Sequence, residues 1–138
     1  MIAALIGRLK TLPTLRLVDG LAAWSALDAP PLLTPAAYVL PGTTDAQPNG
    51  VAAGGFRQAL RETAQILVLT RNLRDPNGAA ATQDLAAIRD AVRAGVLGWV
   101  PMPGWQPLAL VSGSLVGIEG DCVVWRDLVA SEQQFFRH

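Results

Sequence analysis

One cysteine and one histidine are all that this chain offers of the side chains most used for metal binding and for activating a nucleophile. Cys122 alone excludes a disulfide within the chain and any multi-cysteine metal site. It lies inside an apolar run, where two readings are open: a small buried hydrophobe or a reactive thiol. The histidine is His138, the last residue, so no internal imidazole exists to pair with a Ser or Cys nucleophile. The carboxylates, Asp19, Asp28 and Asp45 among them, are scattered, and no spacing joins two into an acid/base pair. Gly-rich "NGVAAGG" lacks the Lys-Ser/Thr end of a phosphate-binding loop and precedes a strand, not a helix. The expectation is a protein with no catalytic residues, no cofactor and no metal.

Charge is scarce as well. Charged residues make up 16% of the chain, against about a quarter in an ordinary globular domain. Eleven basic residues balance eleven acidic ones, which argues against a dedicated nucleic-acid binder with its basic excess. Lys10 is the only lysine; the other basic residues are arginines, better suited to forked ion pairs at interfaces. Long apolar runs are missing too: none approaches the ~18 residues of a membrane-spanning helix. In "MIAALIGRLKTLP" the charges follow the apolar residues, the wrong order for a secretory signal. These features predict a soluble chain made in the cytoplasm and not bound to a membrane. At 138 residues and 51% hydrophobic, it has the size and composition of one globular domain spanning 1–138.

What is present reads as alternating helical and strand-like segments. Ile2, Leu5, Ile6, Leu9 and Leu12 follow the spacing of one helix face, which Pro13 ends. Leu15 to Asp19 alternates as a short strand, and "LAAWSALDAPP" holds one helical turn before its prolines. Pro35 to Leu40 reads as a second strand. From Phe56 to Arg71, Phe56, Leu60, Ala64, Ile66 and Val68 share one face, and Arg57, Arg61, Thr63 and Gln65 the other. Both faces become apolar at Ile66 to Leu69, so this strand begins half exposed and ends buried. Asp75-Pro76-Asn77-Gly78 is turn chemistry. Leu85, Ile88, Val92 and Val96 then mark the apolar stripe of a helix whose polar face carries Asp84, Arg89, Asp90 and Arg93. "WVPMPGWQP" is irregular. Strands from Leu108 to Ile118 and from Cys122 to about Val129, joined at Glu119-Gly120-Asp121, complete the chain. The fold class expected is α+β: a largely antiparallel sheet of four to five strands, two amphipathic helices packed on one face.

Between the second and third strands lies "PGTTDAQPNGVAAGG", longer than the usual connection of about 4–6 residues. Its composition predicts a flexible loop over 42–55 at the tip of a long projecting hairpin. Arg57 and Arg61 would sit on the exposed face of the stem, either as a solvated edge that discourages stray pairing or as a contact surface. Trp24 and Trp125 read as core. Trp99 and Trp105 bracket the proline-rich stretch and are either anchors of that loop or exposed rings for a partner. On the helix, Arg89 and Arg93 are expected to be solvated, with Asp90 as a local partner.

In order and phrasing the chain resembles the tail terminator proteins of long-tailed bacteriophages and of related prophage or gene-transfer particles. The resemblance rests on the N-terminal amphipathic helix and "PAAYVLP" before the Gly-rich loop. It continues through "QILVLTRNLRDPNG", "DLAAIRDAVRAGVLGWVP" and "PLALVSG" to "VVWRDLVASEQQF". It implies a structural virion protein at the head-proximal end of the tail. Such proteins form a ring, typically a hexamer, that caps the tail tube and stops its polymerisation. The ring then joins the tube to the head completion or neck protein, and DNA passes through its lumen without sequence recognition. Loops on the tube-facing side would order against the major tail tube protein. In this chain that implies tube contact at Asp45, Gln47, Asn49, Arg57 and Arg61. The subunit–subunit interface would draw on Arg89, Arg93, Trp99 and Trp105. Three other readings stand beside it: a head–tail connector ring of the neck, a small-ligand-binding α+β module with its pocket under "WVPMPGW", and an enzyme whose carboxylates, scattered in sequence, meet in space.

Overall fold

The computed structural model describes residues 1–51, 54–71 and 79–137. The expected turn at Asp75 to Gly78, and His138, lie outside the described residues. In chain order the elements are α1 (Ile2–Lys10), β1 (Leu17–Gly20), α2 (Leu21–Ser25), β2 (Ala36–Ala46), β3 (Phe56–Arg71), α3 (Ala79–Val96), β4 (Ala109–Glu119) and β5 (Cys122–Arg137). The fold is α+β, with three helices and one five-stranded sheet in the order β1-β2-β3-β5-β4. The sheet is mixed. β1 runs parallel to β2, and the other three pairings are antiparallel. A parallel pair needs a crossover between its strands; here α2 and the proline-containing segment after it supply one.

α1 and α3 lie over one face of the sheet. Leu5 and Leu9 of α1 meet Ile88, Val92 and Val96 of α3 above Val18, Ala37, Val39, Ala64, Ile66, Val68 and Val129. Those strand residues alternate because side chains on a strand point to opposite faces in turn. The even-numbered residues of β3 therefore supply this core, as their period of two predicts. Gly95 lets the two helices approach: a Cβ there would stand 2.7 Å from a Leu12 methyl. Arg8 ties them further, its Nε donating to the Gly95 carbonyl at 2.8 Å while its guanidinium lies over Trp99. The opposite face carries a smaller core of Ala36, Tyr38, Leu67, Leu69 and Val124. Trp24 of α2 and Leu27 close it. Trp24 is half-buried and packs its ring 5.3 Å from that of Tyr38. Burial, and more weakly the Asp19 carboxylate, push the Tyr38 hydroxyl above its ordinary pKa.

Two strands run further than their composition suggests. β2 does not stop at Leu40: it continues to Ala46 across a bulge between Pro41 and Thr44. Gly42 permits that bulge. A Cβ there would collide with Thr63 Oγ1 and lie 2.9 Å from the Thr63 backbone. The Thr63 hydroxyl accepts from the Thr43 amide at 2.6 Å, so the irregularity is satisfied where it disrupts the ladder. β5 passes Val129 and reaches Arg137, pairing with β3 along its whole length from Arg71↔Cys122 to Phe56↔Arg137. From Leu60 onward the first half of β3 consequently has a strand partner on both sides.

Candidate assembly surface

Beyond Glu62, β2, β3 and β5 continue together past the core residues that lie under the helices, forming a three-stranded tip. Four of the five residues expected to touch the tube project from it: Asp45, Gln47, Arg57 and Arg61. Asp45 and Glu132 stand directly across from Arg61 on its two neighbouring strands. Opposite charges at such positions attract modestly and fix register. Gln47 continues the ladder, its amide donating to the Ala59 carbonyl at 3.0 Å and its own carbonyl accepting from Gln58 Nε2 at 2.7 Å.

Asn49 is turned inward on its own loop. Its Oδ1 accepts from the amides of Val51 at 3.1 Å and Arg57 at 3.0 Å, and its Nδ2 donates to the Gly55 carbonyl at 3.4 Å. This carboxamide shapes the connection as a backbone turn would. The described part of the expected loop is thus shorter than 42–55, since residues through Ala46 belong to β2. Two exposed aromatics adjoin the tip: Phe135, set edge-on 6.1 Å from Phe56, and Phe136 across from Arg57. The sequence reading ended β5 at Val129 and so missed both. Their signal is weak, because "SEQQ" interrupts the apolar pattern before them.

The arginines of α3 are not solvated. Arg93 reaches the sheet and forks onto Asp127 of β5, Nε to Oδ2 at 2.9 Å and Nη2 to Oδ1 at 2.8 Å. Trp125 Nε1 donates to the same Oδ1 at 2.8 Å, so a carboxylate only 1% exposed accepts three hydrogen bonds. The hydrogen bond to Asp127 raises the Arg93 pKa, burial opposing it and the charges of Asp127 and then Asp90 adding smaller parts. Arg89 lies 4.4 Å above the centre of the Trp125 ring. Its Nε is buried without a hydrogen-bond partner among the described residues, beside the ring face below it. Gly113 makes room for the group: a Cβ there would sit 2.7 Å from Asp127 Oδ1 and 2.9 Å from the Trp125 ring. Trp125 is accordingly a half-buried platform, not a core ring. Sequence could not show this, because Arg93 and Asp127 are 34 positions apart.

Trp99 and Trp105 are both half-buried. Trp99 packs on the larger core, and its carbonyl accepts from the Leu108 amide at 2.8 Å. Trp105 lines a cleft of about 300 Å³ with Met1, Ile2, the bulge residues Pro41 to Thr44, Glu62 and Thr63. A second groove of about 410 Å³ lies on the opposite face between Trp24, Leu27, Asp28, Pro30, Leu69 and Glu119. Cys122 is buried, which raises its thiol pKa; Arg71 lowers it less strongly. Among the described residues, no group of three His, Cys, Asp or Glu could hold a metal ion. No helix among them is long and apolar enough to cross a membrane.

β4 is the most exposed element. Nearly all of its residues are open to solvent, including Leu115, Val116 and Ile118. A signal for it was present in the sequence, since no charged residue occurs between Arg93 and Glu119.

Compared with known proteins, the chain resembles a chain of a solved structure described as the virion of a native gene transfer agent (GTA) particle. The two are 20% identical; the match covers 96% of this chain and 86% of that one, with a TM-score of 0.49. No curated protein matches. The model of the phage tail terminator protein family matches residues 2–132, nearly the whole chain, and the chain belongs to that family.

Proposed function

We propose that this virion protein, as a member of the phage tail terminator family, forms a ring that caps the tail tube and ends its polymerisation. The family match over residues 2–132 carries the reading. In this account the mechanism is assembly. The three-stranded tip meets the major tail tube protein through Asp45, Gln47, Arg57 and Arg61, and Asn49 holds the connection in shape. The opposite side of the ring receives the head completion or neck protein, and DNA passes through the lumen without sequence recognition. The ring is a hexamer at the head-proximal end of the tail, assembled in the host cytoplasm. Trp99 and Trp105, with the outer edges of Arg89 and Arg93, belong to the contacts between subunits.

What supports this use of the tip is its construction. β5 pairs with β3 along the whole tip and β2 joins from Leu60, while Asp45, Arg57, Arg61, Phe135 and Phe136 are exposed on it. A surface so braced binds with less ordering than a free loop of the same composition. The test replaces Pro48 to Gln58 with a two-residue Asn-Gly turn, closing the hairpin at Gln47, whose amide donates to the Ala59 carbonyl. The variant should fold, as judged by circular dichroism, and fail to cap tubes, so that particles carry overlong or headless tails in the electron microscope. Full complementation of a terminator deletion by this variant would remove the tip from the tube contact.

A further inference from the structure

The sheet has two open edges, β1 and β4, and they run in opposite directions. Assigning β1 upward makes β2 up, β3 down, β5 up and β4 down. A cyclic ring repeats one orientation around its axis through two different patches on each subunit. A copy set beside the β4 edge in that way presents its β1 upward against a descending strand. The junction is therefore antiparallel, the more stable of the two pairings.

The rows of the sheet agree. Following the pairings across from β1, Asp19 lies in the row Tyr38, Leu67, Arg126, Ser114. Val18 lies in the row ending at Leu115, and Gly20 in the row ending at Gly113. β4 has bulges between Leu110 and Ser112 and between Leu115 and Gly117. The regular stretch left between them, Ser112 to Leu115, sits at the same level as β1. Long exposed edges are normally blunted by charge or proline; this one has neither before Glu119, and Leu115 is 58% and Ile118 72% exposed.

Charge supplies the last point. Arg126 and Asp19 share a row and a face, both are exposed, and neither has an ionic partner among the described residues. Arg126 reaches toward β4, its Nη2 at 3.5 Å from Ser114 Oγ. Asp19 of a neighbouring copy would arrive on the far side of that small serine, within reach of the guanidinium.

We infer that β4 of one subunit pairs with β1 of the next copy of this chain, Ser114 opposite Asp19, with Arg126 and the neighbour's Asp19 forming an ion pair across the junction. This rests on the ring reading above. The test introduces Ser114→Cys and Asp19→Cys together, with the buried Cys122 kept in one series and changed to Ala in another. Directly opposed residues lie within the Cα separation that a disulfide spans, about 4.4–6.8 Å. Mild oxidation of protein assembled on tail tubes should yield a covalent ladder for the double variant and none for either single variant. A covalent dimer from Ser114→Cys alone would mean β4 against β4 and would overturn the pairing. Arg126→Glu or Asp19→Arg alone should raise the concentration for half-assembly about tenfold, and the two reversals together should restore it. Wild-type rings on tubes without the 19–114 cross-link overturn this interface and leave the terminator reading standing. Protein that neither associates at millimolar concentration nor caps tubes overturns both.

Discussion

Replacing Asp127 with Ala should unfold this protein more readily than any other removal of a single polar group among the described residues. The carboxylate is buried and accepts from Arg93 twice and from Trp125 once. Without it the Trp125 Nε1 loses its acceptor, which costs about 1 kcal/mol if water does not reach it. The guanidinium loses a forked charge-assisted pair, worth about 1.5–3 kcal/mol per bond to a charged group. That second part must be discounted, because the Arg93 side chain remains 26% exposed and can rehydrate. A total of about 3 kcal/mol follows, at the lower edge of what breaking a buried pair costs. With an unfolding entropy of about 2.1 cal/mol/K per residue, this chain length converts it to a fall in Tm of roughly 10 °C. Asp127→Asn keeps an acceptor for Trp125 and one for Arg93 and should lose about half as much. Urea titration followed by tryptophan fluorescence measures both, since Trp125 reports on the group. If Asp127→Ala lies within about 0.5 kcal/mol of the parent, the cluster does not hold α3 to the sheet and the reasoning fails.

Two further outcomes follow from the same geometry. Gly42→Ala drives a methyl group onto the Thr63 backbone at 2.9 Å and should cost about 1–3 kcal/mol; slowed amide exchange at Gln47 and Gly50 relative to the parent would show the bulge relaxing freely, contrary to this account. Burial raises the Cys122 thiol pKa, so an aromatic disulfide reagent should modify the native protein far more slowly than the denatured chain. The sign of the accompanying pH effect is fixed. The folded state holds the proton more tightly, so the contribution is complete below the unfolded thiol value of about 8.5 and declines as pH rises past it. Denaturation midpoints of the parent and Cys122→Ala between pH 7 and 10 measure that decline by their difference.

Much of the fold was legible because burial on this sheet is one-sided over long stretches. β3 was bounded correctly at Phe56 and Arg71, since its alternation persists until both faces become apolar. α1 and the helix through Leu85 to Val96 followed from periodicity in the same way, whereas β4 was marked by the turn at Glu119-Gly120-Asp121. β2 and β5 were cut short for a common reason. Beyond Pro41 and beyond Ser131 most side chains are exposed, so hydrophobic alternation no longer marks a strand whose backbone remains paired. Gly42, expected in the flexible loop, lies instead in a bulge within β2. The parallel pairing of β1 left no trace in a four-residue strand. The tip residues could be named from their surroundings in the chain, whereas the engagement of Arg89 and Arg93 depended on partners more than thirty positions away.

β3 and β5 share sixteen consecutive rows, from the tip to the far end of the helix-covered core. At about 3.4 Å per residue this is a ribbon some 50 Å long, crossing the domain without a break in register. Traction applied at the tip and resisted at the body acts along these strands. It loads their hydrogen bonds side by side in shear, where opening one requires straining all, and does not peel them one after another. The mechanical path through the subunit thus runs along the paired ribbon and bypasses the helices.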